Sequence, residues 1–238
     1  MSDPLVSVET LEAEIDKLAN HQFKTPEYQL LFSTPLTLPR ARILAIHLAQ
    51  FVRNRRDCWG YVSGGAPLDV KRIIWEHEGE ELVRDPRVDT DHYTLVTREA
   101  EVLGLTAEDL ENADLIPACV AACYGWLHLV RSTSWIEGFT MQSALEKRNS
   151  DAVMRGGGFT NRIRRKMIDE LGIPQEKLVF LNTHVEADVE HPKMFGRVMA
   201  SHANTYEARA KVLQAAKETF IMDRAHRGAI AQAMANLT

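Results

Sequence analysis

Two imidazoles and a carboxylate recur at helical spacing in the last quarter of the chain. The stretch Thr183–Pro192 reads T-H-V-E-A-D-V-E-H-P. At about 3.6 residues per turn, positions i, i+4 and i+7 share one face of a helix. His184, Asp188 and His191 therefore point the same way, while Glu186 and Glu190 fall on other faces. Imidazole and carboxylate together suit a borderline metal such as iron, manganese or zinc. The competing reading of these residues alone is a solvated acidic helix that carries two histidines.

A helix-bundle metal site draws its ligands from several facing helices, with acids as bridges between two metals. Three other places supply such groups. The first is Trp75-Glu76-His77-Glu78-Gly79, where Ile73, Ile74 and Glu76 are read as the inward face. The second is His92, one turn before Leu95 and Val96. The third is Glu137, between Ile136 and Gly138-Phe139. A carboxylate among aromatic residues is costly to bury unless it is paired or bound to metal. The alternatives are a solvated charge cluster for Glu76, a surface or core histidine for His92, and an exposed helix edge for Glu137.

An acid-rich helix ending in E-x-E-G, a following H-x-x-L, a glutamate on an aromatic helix and then H-x-x-x-D-x-x-H resemble the haem-oxygenase-like diiron oxidases and oxygenases. Their seven-helix fold is shared with pyrroloquinoline-quinone synthase and thiaminase-like proteins. The resemblance runs from about Tyr28 to the last helix and implies six ligands: Glu76, His92, Glu137, His184, Asp188 and His191. Glu76 is placed by Gly79; Glu78 and Glu81 are its rivals, because the segment before His92 is long. Two Fe(II) per chain and O2 are the implied cofactors. The implied reaction is N-oxygenation, C–H abstraction or oxidative C–C cleavage of a small amino-acid-like or carboxylate substrate. A homodimer is expected by analogy of fold. The rival functions are a metal-free oxidase or hydrolase of the same fold, and a non-enzymatic helical binding protein. Beside the ligands, Tyr28 and Lys147 are candidate catalytic residues. Tyr28 lies where related proteins place an aromatic residue near the pocket, and Lys147 lies nearly three turns after Glu137, where it could neutralise a substrate carboxylate. Arg155, Arg162 and Arg165 flank Gly156-Gly157-Gly158 and could clamp the same group.

The elements that must position these groups are helical. Apolar residues recur with helical period almost throughout, and hairpin turn signals are missing. Helices are expected over Ser7–Leu18, from Tyr28, from Leu38 toward Tyr61, over Pro67–Val83, and from Asp89 or Thr90 to Leu103. A capping box at Thr106 opens a short one. Ile116 to about Lys147 reads as one long helix with a kink near Gly125. Thr160–Leu171, Leu178–His191 and Ala203–Ala235 complete the set. The expectation is a single all-α domain over residues 1–238, a bundle of seven or eight helices. With 45% hydrophobic and 26% charged residues, the chain of 238 residues can build a sizeable core. Its net charge of −5 argues against nucleic acid or an anionic membrane as partner. Three cysteines (Cys58, Cys119 and Cys123) make no disulfide framework, and the N-terminus shows no signal-peptide pattern. A soluble cytoplasmic protein is expected.

Overall fold

Helices form in this chain where apolar side chains can be buried, and several open on a polar residue that closes the first turn. The computed structural model describes residues 7–187 and 193–237. Helix α1 (Val8–Gln22) opens at Ser7, whose hydroxyl accepts from the Thr10 amide, and buries Leu11, Ile15 and Ala19 along one face. Helices α2 (Pro26–Ser33) and α3 (Leu38–Gly65) both carry proline in the first turn, where its missing N–H costs nothing. Helix α4 (Leu68–Glu78) runs into a π-helical turn at Gly79–Val83. There follow α5 (His92–Val102), α6 (Ala107–Glu111), α7 (Pro117–Ser132), α8 (Trp135–Asn149) and α9 (Phe159–Leu171). After a 3₁₀ turn at Gln175–Lys177 come α10 (Val179–Ala187), α11 (Lys193–His202) and α12 (Tyr206–Asn236). Among the described residues no strand forms; Asp85 and Thr90 make an isolated antiparallel bridge.

Among the described residues twelve α-helices stand where seven or eight were expected. Part of the excess comes from caps that divide long apolar runs. Ile116–Lys147 is two helices, because Ser134 and Glu137 form a capping box that starts α8 afresh. No kink is needed at Gly125. That glycine instead admits the side chain of Met222, whose Sδ would lie 2.3 Å from an added Cβ. Likewise Thr205 caps α12 through the Ala208 amide and separates it from α11.

The site depends on what surrounds α8. Helices α1, α3, α7, α9, α11 and α12 all pack against it, and its side chains from Gly138 to Arg148 are buried on every face. Charged residues late in α8 therefore point into the protein rather than into solvent. On the far side of α3, α5 packs against both α3 and α10, and α10 against α9. The Gly156–Gly158 run is a tied turn. Gly156 and Gly157 have φ of +78° and +98°. The Asp151 carboxylate accepts from the Gly158 amide at 2.7 Å and from Asn161 Nδ2 at 2.6 Å. Among the described residues, no helix is long and apolar enough to cross a membrane.

Candidate metal centre

Glu81, His92 and His184 converge, with one ligand atom from each lying within 4.8 Å of the others. All three are buried. Glu81 comes from the π turn after α4, on the stripe Val70, Ile74, His77, Glu81 that faces the core. His92 is the first residue of α5, whose N-cap Asp91 accepts from the Thr94 amide at 2.9 Å. The loop between them is closed by the Asp85–Thr90 bridge and by Asp89 at φ +58°. That loop aims Asp85, fully buried, at the His92 ring.

Hydrogen bonding sets the tautomer of both rings. His92 Nε2 lies 2.8 Å from Asp85 Oδ2. A carboxylate accepts, so Nε2 carries the proton, and the neutral ring keeps its lone pair on Nδ1. Nδ1 is buried and has no hydrogen-bond partner; it lies 3.0 Å from Glu81 Oε1 without hydrogen-bonding geometry. In the same way His184 Nδ1 lies 3.2 Å from the Phe180 carbonyl, which also only accepts. Its lone pair is on Nε2, 3.9 Å from Glu81 Oε1. Outer groups that fix ring orientation and tautomer are the usual support of a metal-bound histidine.

Charge around the trio is arranged for a cation. Burial works against ionising Glu81, but Arg56, at 2.6 Å, together with His92 and His184 outweighs it and holds the carboxyl well below its usual range. Burial also works against protonating His92, yet Glu81 and Asp85 outweigh it and raise its pKa. A proton on His92 and a metal are thus competitors for the same place. A fourth acid lies close by. Glu146, on the buried end of α8, pairs with Arg55 at 2.5 Å and lines the same cavity as Glu81 and His184. His77 Nε2 lies 4.0 Å from both Glu81 and Glu146. Iron fits this donor set: an orphaned buried imidazole nitrogen, a second imidazole with its lone pair facing inward, and ionised carboxylates.

The structure brings together two of the six residues that the resemblance implies, His92 and His184, and adds Glu81, one of the rivals for the first position. Glu76 is exposed, two residues round from Ile74 and on the opposite side of α4, and so does not reach the cluster. Glu137 is spent on the cap of α8, accepting from the Ser134 amide at 3.0 Å and from its hydroxyl at 2.5 Å. It starts the helix that Glu146 ends, and nine residues separate them by about 13 Å of axis. Asp188 and His191 lie outside the described residues. Lys147 does not line the cavity: its Nζ reaches back to Asp16 at 2.8 Å and Glu12 at 3.6 Å on α1. Tyr28 is fully buried and donates to Asp223, with Arg148 Nη1 3.2 Å from its oxygen. Arg162 is held by the carbonyls of Gly157 and Arg155 over the rings of Phe23 and Phe32. Glu146 was missed because composition reads E-K-R as a solvated helix end. The run before it, Phe139 to Leu145, is uncharged for seven residues, a weak sign that α8 is buried all round.

A second trio, His47, Cys119 and His226, also meets the distance condition and is also buried. Its surroundings differ. His47 Nε2 accepts from the Ile116 amide at 3.5 Å, so that lone pair is in use. Burial pushes the Cys119 thiol up to about 11. Burial and then Arg227, His47 and Arg148 hold His226 well below the ordinary histidine range. No carboxylate belongs to the trio, and two guanidiniums stand beside it.

Comparison with known proteins shows the family and the fold. Residues 42–224 match the model of a family described as iron-containing redox enzymes, and the chain belongs to that family. No curated protein sequence matches it. Among solved structures it is similar to a domain of unknown function with a haem-oxygenase-like fold from Shewanella denitrificans, at 11% identity and a TM-score of 0.74, covering 97% of this chain and 93% of that one. A TenA homologue from Pseudomonas syringae is 12% identical with a TM-score of 0.69, over 97% and 98% of the two chains. A CADD-like protein of unknown function from Nostoc punctiforme is 15% identical with a TM-score of 0.68, over 95% of each. The fold is the all-α, haem-oxygenase-like one that the resemblance implied.

Proposed function

We propose that this chain is an O2-dependent non-haem oxidase or oxygenase that holds two irons and acts on a small carboxylate or amino-acid-like substrate. The observation that carries the reading is the convergence of Glu81, His92 and His184 in a member of a family of iron-containing redox enzymes. His92, through Nδ1, and His184, through Nε2, would hold the metal as nitrogen donors, and Glu81 as a carboxylate donor beside them. Glu146 stands near enough to His77 and to the cavity to serve as a further carboxylate. Asp188 and His191 follow His184 at the spacing of one helix face and complete the set.

When bound, iron supplies the reduction of dioxygen and the oxidation of a substrate held beside it. The chain's own part is to orient and exclude. Asp85 holds the proton of His92 at Nε2, and the Phe180 carbonyl holds that of His184 at Nδ1. Arg55 and Arg56 keep Glu146 and Glu81 in place as anions. Leu44, Leu48, Val52 and Ile163 line the cavity with apolar surface that keeps water from the reacting atoms.

Anaerobic reconstitution of the full chain with Fe(II), followed by metal analysis, tests this reading. Close to two irons per chain are expected, with O2 consumption on exposure to air. His92→Ala should load less than one. A chain that retains no iron after desalting, and whose melting temperature does not move with Fe(II), would instead be a metal-free relative of the same fold.

A further inference from the structure

The same cavity has a second charged region that the metal centre does not use. Its groups come from α8 and α12. Arg148 and Arg227 are both only 1% exposed, and both line the cavity. Both lie against the Phe159 ring, their guanidinium carbons 4.7 and 4.6 Å from its centroid, and against that of Phe51, at 5.8 Å for Arg148 and 4.7 Å for Arg227. One carboxylate serves both. Asp223 accepts from Arg148 Nη1 at 3.0 Å and lies 3.5 Å from Arg227 Nε. Its other oxygen is taken by the Tyr28 hydroxyl. At contact distance two buried guanidiniums share one carboxylate, and Glu146, which also acts on Arg148, is itself paired with Arg55.

The unpaired donors are specific atoms. Arg227 Nε and Nη1, and Arg148 Nε, are buried without a hydrogen-bond partner. A guanidinium with unpaired donors inside a protein is costly. Arginine cannot escape that cost by losing its proton at any ordinary pH. The fork of a guanidinium matches the two oxygens of a carboxylate. Beside it lie the apolar side chains of Leu44, Leu48, Val52 and Ile163. None of the partners of Arg148 or Arg227 is shared with Glu81, His92 or His184.

We infer that Arg227, supported by Arg148, binds the carboxylate of a small aliphatic carboxylic acid, whose apolar part then lies along the cavity wall. The subsite deepens the proposed activity. Its meaning as a substrate site rests on that reading, but the binding itself needs no iron. It also moves the carboxylate-binding role from Lys147 and the arginines of the glycine turn to α8 and α12.

Calorimetric titration of the full chain with hexanoate, 1-hexanol and hexylamine tests it, both loaded with Fe(II) under argon and after chelation. Hexanoate should bind, the alcohol and the amine at least thirtyfold more weakly, and the hexanoate affinity should agree within threefold with and without iron. Arg227→Gln should weaken hexanoate at least tenfold while leaving iron content unchanged and the melting temperature no lower, since Asp223 keeps Arg148 as its partner and one buried charge fewer has to be matched. His92→Ala should do the reverse, losing iron and keeping hexanoate. Equal binding of 1-hexanol and hexanoate, hexanoate binding only in the iron-loaded form, or an Arg227→Gln protein that binds as before would each overturn the assignment. Should Arg227→Gln fail to fold, Arg227→Lys decides: it keeps the charge but not the fork, and unchanged hexanoate affinity there also overturns it.

Discussion

Two buried trios in this molecule satisfy the same distance test, and their surroundings set them apart. Glu81, His92 and His184 sit among acids: Asp85 on the outer nitrogen of His92, Glu78 beside Arg56, Glu146 nearby. His47, Cys119 and His226 sit beside Arg227 and Arg148, with no acid in the trio. In a medium of low dielectric, such neighbours act over several ångströms. The first trio therefore favours a cation and the second opposes one. The guanidiniums that spoil the second trio for a metal are those that make the adjoining cavity wall fit for an anion. Ligand type and spacing are necessary for a metal site, and the sign of the surrounding charge decides between sites that share them.

The comparison breaks most readily on the ligands. His184→Ala should lower iron affinity on the order of a hundredfold or more, since removing a ligand should cost at least as much as the 10–100-fold typical of an outer-shell partner. His226→Ala should leave iron content as it was; iron loss in the second variant and not the first would reverse the assignment. Next in size is Glu99, on α5 with His92. Its buried carboxylate accepts from the Leu181 amide at 3.1 Å and so ties α5 to the start of α10. Burial pushes its pKa up to about 8, against the two amide hydrogen bonds from Leu181 and Phe180. A raised carboxyl pKa means that the folded protein binds more protons than the unfolded one, so stability falls as pH rises from about 4.5 to about 8. Glu99→Gln should flatten that fall. It should exceed the parent by roughly 5 kcal/mol at pH 9 and come close to it near pH 5 in urea melts.

Smaller effects sharpen the picture. Asp85→Asn should weaken iron about 10–100-fold by releasing the orientation of the His92 ring. Glu137→Ala should cost about 1 kcal/mol as a lost helix cap, with iron content unchanged. Glu76→Gln, on an exposed face, should move stability by less than about 0.5 kcal/mol and iron not at all. Iron loss in either of the last two would restore the ligand set that the resemblance implied.

How far these sites were legible differs residue by residue. His184 could be read because its partners follow it at i+4 and i+7, and His92 because the resemblance reaches it. Glu81 was among three candidates, and helix phase separates them: counting back from Glu81 by four, seven and eleven gives His77, Ile74 and Val70, the buried stripe, which excludes Glu76. Glu137 misled because a glutamate three residues after serine has a local use as a cap, and that use was overlooked. Arg227 carried no local sign, and Glu146 and Arg148 only the uncharged run Phe139–Leu145 before them. A charged residue late in a helix has the same sequence signature whether it meets water or another helix.

Local sequence determined where helices start, which stripe of each is apolar, and that imidazoles and acids recur at ligand spacing. These depend on contacts within a turn or two of chain. The tertiary structure alone decided that α8 is enclosed by six neighbours, that Glu81 and not Glu76 meets His92 and His184, and that two arginines share one aspartate. Burial and pairing are properties of groups distant in sequence, and the cost of an unpaired charge exists only once the packing of other helices has taken away its water.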